Sequence, residues 1–332
     1  MLSLAECQAL PKVELHVHIE GSIRPETVLR LAKKNDIDLP ATTVAGLREW
    51  YRFTDFPHFV EVYTLLSQCI QEPEDIEFIV TEFMAGQAEQ NILYTEATFT
   101  ASTIFQHAAI PIDEQIDALR RGITQGRRDH GVDLGIIMDF VRQDLPEDSV
   151  TIAEHAVDAH GKGVVALGLS GIEGVGPAED HRAAFNYAMA HGLPIVPHAG
   201  ETQGADSIWE ALELTECKRI GHGIRCLEDD ALVNELIEKQ VVLEVCPSSN
   251  ICLNVVPSWE EHPLAKLRDR GLRVTLNSDD PPMFNTTLSE EYHRASKTWG
   301  WNADVLKSLV LNAAKATLQT DDERTALLAR LV

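Results

Sequence analysis

The sequence predicts an α/β protein: a single (β/α)8 TIM barrel with additional helices after the first strand. Three observations predict it. Eight short apolar or β-branched runs alternate with longer stretches of helical pattern along 332 residues, a length that suits one large barrel. No Pro/Gly/Ser-rich linker divides the chain, so residues 1–332 read as one domain. Histidines and acids also gather at the C-terminal ends of the runs, the face on which barrels of this kind carry their chemistry.

The elements follow in order. The first run, VELHVH (13–18), ends in His16 and His18. A strand sends residues i and i+2 to the same face, so the two imidazoles project together. As structural residues, each would need its own buried hydrogen-bond partner, whereas two nitrogens aligned on one rigid element suit a metal ion. Helical sequence between residues 23 and 90, including RPETVLRLAKKN, lengthens the first crossover. NILYTEATF (91–99) carries Glu96 late, and DLGIIMDFV (133–141) carries Asp139 late. PEDSVTIAEHAVDAHGKG, with acids in its opening turn and a closing glycine, reads as the helix before GVVALGLSG (163–171). Gly171 ends that run and Glu173 follows it. PIVPHAG (194–200) brings His198, with Glu201 just after it. GADSIWEALELTECK leads to RIGHG (219–223), where His222 stands between glycines. VVLEVCP (241–247) precedes RVTLNSDD (273–280), which ends in Asp279 and Asp280.

Composition narrows the partners. A formal net charge of -24 argues against a nucleic-acid backbone or an anionic membrane. No segment approaches the roughly 20 apolar residues of a membrane span. The opening MLSLAECQALPKVE lacks a basic region followed by a long apolar stretch, so no signal peptide is expected and a cytoplasmic protein is the default. The six cysteines form no CxxC pair and are expected as reduced, packed thiols.

His16, His18, His198 and Asp279 offer three imidazoles and one carboxylate, with no sulfur. That donor set suits zinc in an open catalytic site, with a position left for water. Adjacent acids before PP can simply open a turn, but Asp279 and Asp280 so close together would be costly without a cation. Nine further histidines (His58, His107, His130, His155, His160, His181, His191, His262 and His293) lie in helix-like or loop segments and are expected to serve structure.

The stretches HVHIEGS, HAGET, RIGHGIR, CPSSN and NSDDP occur, in that order between residues 11 and 284, as in the adenosine and adenine deaminase family, which the chain resembles over most of its length. The family is a branch of the zinc amidohydrolase superfamily. The resemblance implies one Zn2+ per chain, held by His16, His18, His198 and Asp279, that activates a water for attack on C6 of a purine. It implies that His222 orients that water and helps take its proton, that Glu201 protonates N1, that Asp280 hydrogen-bonds N7 and that the backbone of Gly171 approaches N3. Ammonia then leaves and a 6-oxo purine remains. At position 20, adenosine deaminases typically carry aspartate, which reaches the ribose. Glu20 looks more like adenine deaminases or deaminases of modified nucleosides. GLSGIEG (168–174) and SWEEHPLAKL…NSDDPPMFNTTLSEEY lean the other way, so adenosine and 2′-deoxyadenosine are the first expectation. Adenine and 6-aminodeoxyfutalosine are the alternatives. The family also implies a helical lid at residues 51–70, with Phe53, Phe56 and Phe59 lining the purine pocket.

Three other readings compete. HxH also opens phosphoesterase barrels, but those hold several metals and need a larger set of ligands. Small-domain zinc deaminases share HxE, yet their PCxxC is nowhere in the chain. A non-catalytic metal-binding protein would be expected to have lost Glu201 or His222. The expected partner is therefore a small purine, with no nucleic acid and no membrane, and the sequence is silent on oligomeric state.

Overall fold

In the computed structural model, which describes residues 1–331, eight parallel strands pair in sequence order. They are β1 (Lys12–Glu14), β2 (Ile92–Thr100), β3 (Asp133–Val141), β4 (Val164–Ser170), β5 (Ile195–Ala199), β6 (Arg219–His222), β7 (Val242–Val245) and β8 (Arg273–Leu276). Helices occupy every crossover, giving the expected (β/α)8 barrel. Both faces of the strands are covered, which is why β3 reads as an almost unbroken apolar run. Its Ile136 packs outward with Leu167 and Ile195 against the helices, while Ile137 packs inside with Ala166 and Val196.

All eight strands appear where the pattern put them, and the first and last stop furthest short of their expected ends. The ladder of β1 stops at Glu14 and that of β8 at Leu276, because the next four residues of each run close the ring. Across this seam the backbone pairs at the bridge of Val17 with Asp279, while His18 bridges to Thr98 of β2. His18 N donates to Asp279 O over 2.9 Å and Asp279 N to His16 O over 3.2 Å. Side chains replace the missing rungs: Asn277 Oδ1 accepts from Leu15 N, and Glu14 Oε1 accepts from Ser278 N and Oγ. The seam of the barrel is thus also the place where His16, His18 and Asp279 meet.

Inside the barrel lies a buried charged triad, Glu96–Arg219–Glu244, whose guanidinium also donates to Leu15 O and Ala316 O. The first crossover holds four helices: Pro25–Lys34, Val44–Trp50, Phe56–Ser67 and Pro73–Glu89. Phe56–Ser67 starts cleanly because Asp55 caps it, accepting from His58 N over 2.9 Å, and Pro57 suits the first turn. Among the described residues all cysteines are free, and no helix is long and apolar enough to cross a membrane.

Candidate active site

His16 and His18 stand on the segment that closes the seam, His198 near the end of β5, and Asp279 just beyond β8. Their ligand atoms lie within 4.8 Å of one another. Asp279 Oδ1 is 3.4 Å from His16 Nε2 and 3.3 Å from His18 Nε2, and His18 Nε2 is 3.3 Å from His198 Nε2. The sequence prepares this convergence in its backbone. Asp279 sits at φ 64° and His222 at φ 62°, a left-handed region that non-glycine residues enter at a cost of roughly 1–2 kcal/mol. Gly221 makes room for His16: a Cβ there would meet the His16 ring at 2.6 Å. Gly21 seats Asp280 in the same way, since a Cβ would fall 1.6 Å from Asp280 Oδ1.

The outer nitrogens fix the rings. His198 Nδ1 lies 2.9 Å from Leu169 O, and His16 Nδ1 lies 3.0 Å from Glu244 Oε2. Both partners only accept, so both rings carry their proton on Nδ1 and turn an Nε2 lone pair inward. His16 Nε2 is buried without a hydrogen-bond partner. Without a cation the carboxylates would draw a second proton onto His16 and His18. Burial alone would lower the pKa of His16, yet Asp279 and Glu244 push it up to about 10, and Asp280 and Asp279 push His18 up to about 9 against burial. A bound metal ion would displace those protons. Inward lone pairs within a ring of carboxylates call for a cation, and the donor set of three imidazoles and one carboxylate fits zinc.

Beside this cluster, Glu201 is 5% exposed. Burial, then the charges of Asp279 and Glu173, raise its pKa well above the usual carboxylate value. Glu173, two residues after Gly171, accepts from the backbone N–H groups of Gly200, Glu201, Thr202 and Gln203 and from Ser207 Oγ. His222 Nε2 is 3.8 Å from Asp279 Oδ2, and burial lowers its pKa to about 4. Asp280 is raised well above the usual range by burial and by Asp279, and its Oδ1 has no partner.

These groups border a cavity of about 380 Å³ on the C-terminal face. Gly171, at φ 93°, forms part of its wall. Phe56 and Phe59 line it with Tyr63, whereas Phe53 packs behind on Phe59 and Phe284, at 5.4 and 5.9 Å between ring centroids. Glu20 turns toward two residues of the wall: Oε1 accepts from Thr100 N over 2.8 Å, and Tyr63 Oη lies 3.3 Å from Oε2. Burial raises this carboxyl to about 7. A larger cleft, about 760 Å³, opens at the strand starts on the opposite face, but none of the clustered histidines and acids reaches it. The chemistry belongs to the smaller cavity.

The structure therefore brings together His16, His18, His198, Glu201, His222, Asp279 and Asp280, with Gly171 in the wall and Glu20 turned toward it. Sequence reasoning gave no role to Glu173, Glu244 or Asn250, and grouped His262 with structural histidines. Asn250 had a signal in CPSSN, and Glu173 had one in its place just after the fourth run.

Comparison with known proteins agrees with this geometry. A family profile described as adenosine deaminase matches residues 11–332. An adenine deaminase of Rhizobium rhizogenes is 36% identical over 97% of this chain and 99% of its own length. One from Vibrio parahaemolyticus is 35% identical over 93% of this chain and 91% of its own. The crystal structure of an adenine deaminase from Arthrobacter aurescens superposes with a TM-score of 0.92 at 28% identity, covering 97% of this chain and 98% of that one. The chain belongs to the adenosine deaminase family, whose members are hydrolases acting on carbon–nitrogen bonds.

Proposed function

We propose that this protein is a zinc-dependent hydrolytic deaminase of a neutral 6-aminopurine, with adenine as substrate and hypoxanthine and ammonia as products. The observation that carries the proposal is the meeting of the three-imidazole, one-carboxylate cluster with Glu201, His222 and Asp280 around one cavity. The family resemblance put adenosine first and adenine among the alternatives. The names of the full-length relatives at 35–36% identity support adenine. So does Glu20: its oxygens turn to Thr100 and Tyr63, and its side chain is not part of the cavity lining where a ribose would sit. No lysine or arginine lines the cavity, and phosphate recognition depends on such groups, which favours a base or nucleoside over a nucleotide.

His16, His18, His198 and Asp279 would hold the zinc. Bound there, it would supply the Lewis acidity that brings a water's pKa toward neutrality. Phe56 and Phe59 give the purine an apolar bed. Asp280, its pKa raised by burial and by Asp279, hydrogen-bonds N7, and the Gly171 backbone approaches N3. Glu201 transfers its proton to N1, which lets C6 accept the water oxygen. His222, beside Asp279, keeps that oxygen in place. A C6–O bond forms; of the water's two protons one passes to the amino nitrogen and one restores Glu201, the C6–N bond to the amino group breaks, and ammonia departs.

The test compares kcat/KM for ammonia release from adenine, adenosine, 2′-deoxyadenosine, 6-aminodeoxyfutalosine and AMP by the zinc-loaded protein. The proposal expects adenine to lead and AMP to be inert. A nucleoside in the lead would replace the substrate, and no release from any of the five would remove the activity.

A further inference from the structure

Asn250, the last residue of CPSSN, is fully buried in the helix Pro247–Cys252, and its amide stands at a junction of three side chains. Nδ2 lies 3.2 Å from Glu201 Oε1 and 3.2 Å from His222 Nδ1, while Oδ1 lies 3.1 Å from His262 Nε2. The direction of each bond is set from the far end of the chain. Leu264 N–H, which can only donate, meets His262 Nδ1 at 3.2 Å, so that nitrogen presents a lone pair. His262 is 3% exposed, and burial, with His222 nearby, lowers its pKa to about 3. It is therefore neutral, with its one proton on Nε2.

That proton goes to Asn250 Oδ1, which orients the amide. The two hydrogens of Nδ2 then serve Glu201 Oε1 and His222 Nδ1. His222 must accept at Nδ1, so its proton is on Nε2, the nitrogen on the Asp279 side. Glu201 accepts at Oε1, which leaves Oε2 to carry the carboxyl proton.

We propose that His262 and Asn250 are positioning residues that hold His222 in its Nε2–H tautomer, so that His222 serves the reacting oxygen as a hydrogen-bond donor and not as a proton acceptor, and that keep the proton of Glu201 on Oε2 for N1. The roles of Glu201 and His222 rest on the deaminase reading; the direction of the hydrogen-bond chain does not. The proposal revises the expectation that His222 helps take the proton of water, and it gives CPSSN a function.

Two-bond 1H–15N correlation spectra of histidine-labelled, zinc-loaded protein test it directly, with His222 assigned by its loss in His222→Gln. Nε2–H at His222 and at His262 at neutral pH is expected; Nδ1–H or a doubly protonated ring at His222 overturns the proposal. This measurement needs no positioning variant to fold, and its result stands whether or not purines turn over. In Asn250→Asp two acceptor oxygens replace the amide, so His222 should switch to Nδ1–H. There kcat should fall at least about a hundredfold, with KM within about threefold and zinc content unchanged. His262→Gln keeps an N–H for Asn250 and should retain far more kcat than His262→Ala. An unchanged kcat in Asn250→Asp, or equal losses in the two His262 variants, would overturn it.

Discussion

In the proposed mechanism Glu201 protonates N1, so its carboxyl has to hold a proton at neutral pH. Burial raises its pKa first, and Asp279 and Glu173 raise it further. Such a donor works below its raised pKa and fails as pH climbs through it, so kcat should decline on the alkaline side. Glu201→Gln cannot transfer a proton. It should lose at least about a hundredfold in kcat, keep its zinc, and abolish that alkaline decline. Pre-steady-state ammonia release across pH, with metal analysis alongside, checks both; near-normal turnover would remove Glu201 from the mechanism. Most of these residues were legible in the sequence because each follows a strand-like run. His262 was not, since it lies in a loop with no periodicity and its role depends on Asn250, twelve positions earlier.

At the scale of the element, the turn after β5 places Glu201, and Glu173 from the turn after β4 holds it. Burial would raise the pKa of Glu173, but donors from Ser207 and the backbone of 200–203 outweigh it and keep the carboxylate charged. Glu173→Ala strands several buried N–H groups at once and should cost about 3 kcal/mol, read as a lower urea midpoint at unchanged slope. A midpoint equal to wild type would mean the turn holds itself. Strand boundaries show where sequence reading stops. The runs at 13–18 and 273–280 are strand-like throughout, yet residues 15–18 and 277–280 leave the ladder. Some of their partners are side chains, Asn277 and Glu14, from the far end of the chain, and no local pattern announces such a pairing. Likewise Phe53, Phe56 and Phe59 look alike as aromatic residues, but of the three only Phe56 and Phe59 line the cavity.

For the whole molecule, the ring closes through one backbone bridge and a few side chains, with His16 and His18 on one side of the seam and Asp279 on the other. A metal held by all three would tie the first strand to the last. At a thousandfold excess over Kd, such binding adds about 4 kcal/mol of stability. Chelation should therefore lower Tm by several degrees in wild type and leave His16→Ala unmoved. An equal fall in both would detach the metal from the seam. The barrel order itself was readable from eight alternating runs; the closure was not, because it joins residues more than 250 positions apart.

The central claim is hydrolysis at C6 of adenine, and the most direct measurement is mass spectrometry of the product formed by zinc-loaded protein in water enriched in oxygen-18. The account predicts hypoxanthine carrying one heavy oxygen for each ammonia released. Unlabelled product, or adenine recovered unchanged, would contradict it.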